Sequence, residues 1–495
     1  VTLTIARAAR EVASRSGDAR RAWAFVRDHW LVAVVLGIGL VLRLLVMIAY
    51  PRGFFIQGDS AEYLGAAFSH VADPIRPSGY SVFLTFLVWY RSTTAILLAQ
   101  HLMGLGVAVL SYAFLLRRGV NRYVAALAVA PMVLESRLIV LEHYVLSETF
   151  FIAVLIGAVV ILLWRDRPVY WQLIAVGMLL AVAAVTRSVA VAIIPGFALY
   201  LAIRRLGWRQ FVAFVLAAGL GLGAYAGWYD ADHGKWAMSG MSGRFLWART
   251  TTFMDCSKLN PTPAERPLCP TEPLGQRPRP EVYMWTTTSV HMYPILQGDS
   301  AYGNLARKAI LHQPFDYAAV IAKGTWTLMP FGFPAGTGEC NYLQYQLPTA
   351  DPGPCFARYL APADPAVEHY VGDITELNSP LLSPLNWYSR YAMLPGGVSG
   401  LAFLFAVAAA FVRARRSALH EWLDPLLLTG LAFGMIVISV AGAEPDTRYE
   451  APSLPFALIG ATLAWHRLRQ VTKAADPPLS TVEPQEPASI SSSLA

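Results

Sequence analysis

Charged side chains are scarce in this chain. Asp, Glu, Lys and Arg together make up 14% of 495 residues, where soluble globular proteins carry about a quarter. Beside 55% hydrophobic residues and a mean hydropathy of +0.44, that deficit excludes an ordinary soluble domain. No short repeat is present, and the apolar content is too high for disorder, collagen or a coiled coil to describe the whole chain. Cysteine is limited to four residues, none in a CxxC pair. An excess of one charge sign is also nearly lacking: the net charge is +7, compatible with nucleic acid, a membrane surface or topology according to where the charges lie.

What is abundant is long apolar runs. Stretches able to cross about 30 Å of hydrocarbon occur at 31–49, 94–116, 123–141, 146–164, 171–185, 189–203, 210–228, 396–412, 422–442 and 450–466. Only Thr186-Arg187-Ser188 divides the fifth from the sixth, and they are read as two spans. Arginine then alternates with topology. Arg7 to Arg27, Arg117, Arg118, Arg122, Arg165, Arg167, Arg204, Arg205, Arg209, Arg413, Arg415, Arg416, Arg467 and Arg469 fall on one side. The short loops of the other side hold only Arg52, Arg76, Arg91, Arg137, Arg187 and Arg448. By the positive-inside rule both termini are cytoplasmic, and no nucleic-acid reading is needed. The expectation is a polytopic α-helical membrane protein of about ten transmembrane helices in the cell membrane. Residues 1–30 form a basic cytoplasmic N-terminus followed by an uncleaved anchor. Residues 31–228 form an N-terminal membrane module, 394–469 the C-terminal helices, and 470–495 a disordered cytoplasmic tail.

Two outer segments exceed mere connectors, 50–93 and 229–393. The second is rich in Pro, Trp, Tyr and Gly, is long enough for its own core, and is expected to be an extracytoplasmic domain. It holds all four cysteines, Cys256, Cys269, Cys340 and Cys355, which suits an oxidising compartment. Intervals of 13 and 15 residues suggest Cys256 with Cys269 and Cys340 with Cys355, although three pairings exist and a metal site is the rival reading. Its aromatics, such as Tyr283, Trp285 and Trp326, could stack on a ligand's rings or form its core.

Ionisable groups in or beside hydrocarbon are costly, so they mark tasks. The first outer segment reads Gln57-Gly58-Asp59-Ser60-Ala61-Glu62-Tyr63, then Asp73-Pro74-Ile75-Arg76-Pro77-Ser78-Gly79-Tyr80. Asp59 stands where a short helix begins. It could be an N-cap with Glu62 as capping-box partner and Tyr63 and Tyr80 as interfacial anchors, or a fixed, partly desolvated general base. Arg137 with Glu142-His143, Ser147-Glu148, Arg187, and Glu444 to Glu450 emerge on the same face. Asp59, Arg76, Glu148, Arg187 and Arg448 could therefore meet in one membrane-level pocket, where guanidiniums suit a phosphate and a carboxylate suits proton abstraction. The alternative is local ion pairs such as Arg137 with Glu142 or Arg448 with Glu444. Arg43, deep in the first span, is expected to be structural, and His70, His101 and His143 show no metal-ligand spacing.

These stretches resemble the polyprenyl-phosphate-dependent glycosyltransferases of the GT-C fold, the group holding protein O-mannosyltransferases, lipid A aminoarabinose transferases and actinobacterial cell-envelope mannosyl- and arabinosyltransferases. Asp59 to Tyr63 looks like the family's acidic first-loop motif, and Arg76-Pro77-Ser78-Gly79-Tyr80 like its basic-Pro-x-x-Tyr element. Ser147-Glu148-Thr149-Phe150-Phe151 looks like the Ser/Thr-Glu-Pro-Leu-Phe opening a span, with Thr149 where proline is usual. Val182 to Arg187, Ala306 to Pro314, and Arg448-Tyr449 with Pro452 and Pro455 resemble later signatures. Many relatives carry a second acid after the catalytic Asp or an Arg three positions on, where this chain has Ser60 and Glu62.

The resemblance implies a GT-C-like bundle and inverting transfer of a sugar from a polyprenyl-phosphate donor to a hydroxyl of a glycan, lipid or protein at the outer face. Asp59 would be the base. Arg76, Arg187 and Arg448 would bind the donor phosphate, while Glu62, Tyr63, Tyr80 and Glu148 would position substrate. A divalent metal is possible, with Glu148 as an alternative ligand to it. A flippase or transporter for an anionic lipid, or a non-catalytic protein of the same fold, is the alternative.

Overall fold

A computed structural model describes residues 27–56, 58–89, 92–285, 298–329, 345–351, 377–413 and 419–475. Among the described residues the regular structure is helical, apart from one isolated parallel β-bridge between Phe54 and Tyr144. A helix occupies every expected span: α1 Trp30–Ala49, α4 Thr93–Arg117, the pair α5 Arg122–Leu134 and α6 Ser136–His143, α7 Glu148–Leu163, α8 Tyr170–Thr186, α9 Val189–Ile203, α10 Trp208–His233, α16 Gly397–Arg413, α17 Leu423–Gly442 and α19 Leu454–Ala475. α1, α4, α10 and α17 are long and apolar enough to cross a membrane unaided, and the α5–α6 pair makes a fifth if counted as one span. α7, α8, α9 and α16 are shorter apolar helices. The chain is a multi-pass helical membrane protein.

The segment 50–93 holds α2 Asp59–Ser69 and α3 Gly79–Val88. Between α10 and α16 lie α11 Ser242–Thr250, α12 Pro280–Trp285, α13 Asp299–His312, α14 Pro314–Thr327 and α15 Leu382–Tyr391. Trp247, Met254, Leu268, Tyr283, Tyr302 and Leu305 form a compact core of their own there, and a Cys256–Cys269 disulfide closes its edge. Cys340 and Cys355 lie outside the described residues, as do Gln57, residues 1–26 and 476–495. Of the three aromatics singled out in the sequence, Tyr283 is core, Trp326 is 80% exposed, and Trp285 is partly exposed with one face on Arg76.

Small residues let the helices approach closely, the packing mode available where no hydrophobic force separates helix from lipid. A Cβ on Gly177 of α8 would lie 2.6 Å from the Phe214 carbonyl oxygen of α10, and one on Gly221 of α10 would lie 2.6 Å from the Ala181 Cβ. Polar pins supplement this packing. Arg43 is buried in α1 and donates to both oxygens of Glu142 at 2.7 Å, and to the Gly39 and Val133 carbonyls. Glu142 also meets His101 Nδ1 at 2.8 Å, and His101 Nε2 lies 3.1 Å from His143 Nδ1. This satisfies Arg43 internally, as a structural role requires.

The span read as 123–141 is bent by 48°. Glu135 is extended there (φ −73°, ψ 126°), and its carboxylate accepts from the Leu138 N–H and pairs with Arg137 at 2.7 Å. Arg137 also pairs with Glu450 at 2.7 Å. The expected Arg137–Glu142 pair is therefore corrected: the bend turns Arg137 toward the loop ahead of α19, and Glu142 is taken by Arg43.

Candidate active site

The bridge that joins Phe54 to Tyr144 sets the site. Phe54 N–H donates to the His143 carbonyl at 3.0 Å, Val145 N–H to the Phe54 carbonyl at 3.0 Å, and Ser60 Oγ to the Val145 carbonyl at 3.0 Å. These bonds hold the start of α2 against the start of α7. Gly58 caps α2 at φ 89°, a left-handed conformation that favours glycine, and makes no side-chain cap. Asp59 is thus the first helical residue rather than the cap, and the capping-box reading with Glu62 is corrected. The Asp59 carboxylate is turned toward arginines instead. Tyr63 and Tyr80, read as interfacial anchors, are buried. Tyr63 hydroxyl donates to Ser147 Oγ at 3.3 Å, Tyr80 hydroxyl donates to Gln100 Oε1 at 2.5 Å, and the two rings meet edge to face.

Arg76 sits on a loop folded around Asp73. Asp73 Oδ1 accepts from the Ile75 and Arg76 N–H groups at 2.7 and 2.6 Å, an Asx-type turn, and its own N–H donates to Ser78 Oγ at 2.8 Å. The end of α10 clamps this loop: Tyr225 hydroxyl accepts from the Ser78 N–H at 3.0 Å, and Asp232 accepts from the Ala72 N–H at 2.7 Å. Arg187 lies in the break between α8 and α9, in extended conformation. Arg448 belongs to the single turn α18 Thr447–Glu450, whose N–H Asp446 Oδ1 caps at 2.8 Å.

Five side chains then form an alternating chain of charge. Arg76 Nη2 lies 2.5 Å from Asp59 Oδ1, and Asp59 Oδ2 lies 2.5 Å from Arg448 Nη1. Arg448 Nε donates to Glu148 Oε1, which also accepts from Arg187 Nη1 at 2.5 Å. Arg448 therefore bonds Asp59 and Glu148, not Glu444 as the local-pair alternative held. Within this chain three guanidiniums face two carboxylates, and Asp73 and Glu62, the latter one turn along α2, add negative charge beside Arg76. Among the described residues, Arg76 Nη1 and Glu148 Oε2 are buried without a partner, so a donor and an acceptor stand open at the site. The Trp285 ring packs on Arg76 and the Tyr449 ring on Arg187, at 5.4 and 5.5 Å.

Burial alone would push the Asp59 carboxyl up, but Arg448 and Arg76 outweigh it and hold it down at about 2. For Asp446 burial outweighs the Arg448 N–H and its charge and lifts the carboxyl to about 6; burial lifts Glu444 to about 7. No group of three His, Cys, Asp or Glu side chains suited to a metal occurs among the described residues. Asp59 and Glu148, the carboxylates that could reach an ion, are both engaged by arginine.

All five residues singled out for a common pocket meet. Sequence reasoning assigned no role to Asp73, Ser78, Tyr225, Asp446 or Tyr449, which hold the arginines in place. The Asp-Pro step before Arg76 and the Asp two residues before Arg448 were the available signals.

The family model for dolichyl-phosphate-mannose-protein mannosyltransferase matches residues 85–223, less than a third of the chain. Among solved structures, the chain is similar to ArnT from Cupriavidus metallidurans in the apo state, at 15% identity and a TM-score of 0.33, covering 90% of this chain and 78% of that one. It is likewise similar to ArnT from the same organism bound to undecaprenyl phosphate, at 14% identity and a TM-score of 0.33, covering 87% and 77%. No curated protein matches the chain significantly.

Proposed function

We propose that this protein is a GT-C-like membrane glycosyltransferase that moves a sugar from a polyprenyl-phosphate donor to an acceptor hydroxyl by inversion. The observation that carries the reading is the chain of charge from Arg76 to Arg187, with three guanidiniums gathered at one place and the open Nη1 of Arg76 beside the Asp59 carboxylate. The match to the mannosyltransferase family model supports the donor class. The arginine bias supports an active site on the outer face with both termini cytoplasmic.

In this reaction the acceptor oxygen attacks the anomeric carbon opposite the phosphate, and the carbon–oxygen bond to phosphate breaks. The hydroxyl proton passes to Asp59, and the leaving lipid phosphate is taken by Arg76 with Arg448 and Arg187. A carboxylate held near 2 is a weak base. The donor phosphate competes with Asp59 for Arg76 and Arg448, and each guanidinium drawn toward phosphate returns basicity to Asp59. Donor binding and activation of the base are thereby one event. Phosphate leaves readily, so Glu148 need only orient Arg187 and Arg448. Glu62, Tyr63 and Tyr80 position substrate, and Trp285 is an aromatic face beside the phosphate site on which a sugar can stack.

The test is transfer of radiolabelled sugar from polyprenyl-phosphate mannose, arabinose and aminoarabinose to a membrane acceptor fraction. Wild type is compared with Asp59→Asn and Arg76→Gln at matched expression. Asp59→Asn is expected to abolish transfer, and Arg76→Gln to raise the KM for donor at least tenfold. Undiminished transfer by Asp59→Asn would remove it as the base. No transfer by wild type from any donor would move weight to the flippase or non-catalytic reading.

A further inference from the structure

The opposite end of the bundle carries a second charged cavity. Glu148 opens α7 at the Asp59 site and Asp166 follows its far end, so the helix rise places them about 25 Å apart, near one hydrocarbon thickness. There a cavity of about 470 Å³ opens between the ends of α4, α7, α9, α17 and α19. Of the side chains lining it only Leu206, Pro425 and Leu463 are apolar, so an acyl chain has little to pack against. Trp164, Tyr170 and Trp208 are exposed at the same helix ends, as aromatic side chains are at the headgroup level of a bilayer.

The carboxylates of the cavity are already engaged. Asp424 is buried, and accepts from the Tyr200 hydroxyl at 2.7 Å and from Arg118, with Arg204 Nη1 at 4.0 Å. Glu421 pairs with Arg467 at 3.0 Å, and Asp166, almost fully exposed, touches Arg118 only at 3.4 Å. Two donors remain over. Arg467 Nε is buried with no partner, and Arg167 at the rim has no ion pair among the described residues. Arg117, Arg165, Arg205, Arg209 and Arg469 stand on the same helix ends and loops, so the field over the cavity mouth is positive.

We propose that this cavity binds a phosphate group, presented either by the headgroup of an anionic membrane lipid or by a soluble phosphate ester. Arg167 and Arg467 are the donors, Arg204 adds charge, and Asp424 fixes Arg118 behind them. Planar guanidinium forks suit phosphate oxygens, and the volume suits a headgroup or small ester. The site is distinct from the Asp59 pocket, and its failure would leave the proposed activity untouched.

The experiment uses the full chain in phosphatidylcholine nanodiscs, with thermal unfolding followed as dioleoyl phosphatidic acid is included in the disc or inorganic phosphate is added to the buffer. A saturable rise in Tm is expected for wild type and for Arg76→Gln. The Arg167→Gln/Arg467→Gln variant should need at least tenfold more ligand for the same rise. Arg167→Gln alone, at an exposed position outside any ion pair, serves if the double variant does not fold, with an intermediate loss. Saturation by phosphatidic acid alone assigns a lipid source, and saturation by inorganic phosphate assigns a soluble one. Equal responses in wild type and the Arg167 and Arg467 variants, a response lost only in Arg76→Gln, or no saturable response at all would overturn the proposal.

Discussion

Arg448 is the side chain on which both carboxylates of the candidate site depend. Replacing it with Gln leaves Asp59 and Glu148, each more than four-fifths buried, short of a counter-charge. Removing one partner of a buried pair costs about 3–5 kcal/mol. Arg448→Gln is therefore expected to lower the thermal midpoint markedly, and Arg448→Lys to recover only part of it, because one ammonium replaces a fork that reaches two acids. Asp446 and Glu444 give a pH dependence of defined sign. Burial raises both carboxyls, to about 6 and about 7, so the folded protein binds protons that the unfolded chain releases from about pH 4 upward. Stability accordingly falls as pH rises from about 4 to 7. Asp446→Asn keeps an acceptor for the Arg448 N–H and should flatten the lower part of that slope, read as Tm against pH. Asp59 has the opposite sign: its contribution is full above about pH 4 and is lost only as pH falls toward 2.

Between elements, α3 sits tightly on the end of α8, at the break that carries Arg187. A Cβ on Gly79 would lie 2.7 Å from both Thr186 Oγ1 and the Val185 carbonyl oxygen. Gly79→Val must push the segment 50–93 off the turn that carries Arg187, and so separate Arg76 from Arg187. Transfer should fall at least tenfold with expression retained, whereas the same change at Gly106, where nothing lies within 4 Å, should be mild. The Cys256–Cys269 disulfide closes a short loop beside the Trp247 core. Loops of that size are worth about 3 kcal/mol. Cys256→Ser/Cys269→Ser should hasten proteolysis within 242–285 and spare the spans. At this scale the sequence was legible where hydropathy speaks, since each apolar run became a helix. It was silent on the bend at Glu135, because an apolar average over 123–141 conceals a single carboxylate that caps a new helix and draws Arg137 aside.

Across the molecule, charge alternation put Asp59, Arg76, Glu148, Arg187 and Arg448 on one face, which was enough to foresee a shared pocket. It could not foresee which acid each arginine takes. That choice depends on helix rotation and on bends, and so Arg137 meets Glu135 and Glu450 while Glu142 is taken by Arg43. Arg43 and Glu142 join α1 to α6 through two bonds of 2.7 Å in an apolar surround. Glu142→Gln should cost several kcal/mol of stability, with Arg43→Met/Glu142→Met recovering much of it, as thermal unfolding in detergent would register.

The bond between Asp59 and Arg448 spans 389 residues of chain, and this separation has a consequence for biogenesis. At 5–20 residues per second, Arg448 leaves the ribosome roughly 20 to 80 s after Asp59. Throughout that interval the nascent chain carries Asp59 and Glu148 into the bilayer with only Arg76 and Arg187 to neutralise them. The site is completed only when the α17–α19 hairpin inserts, so a chain stalled before that hairpin holds its acids half-compensated.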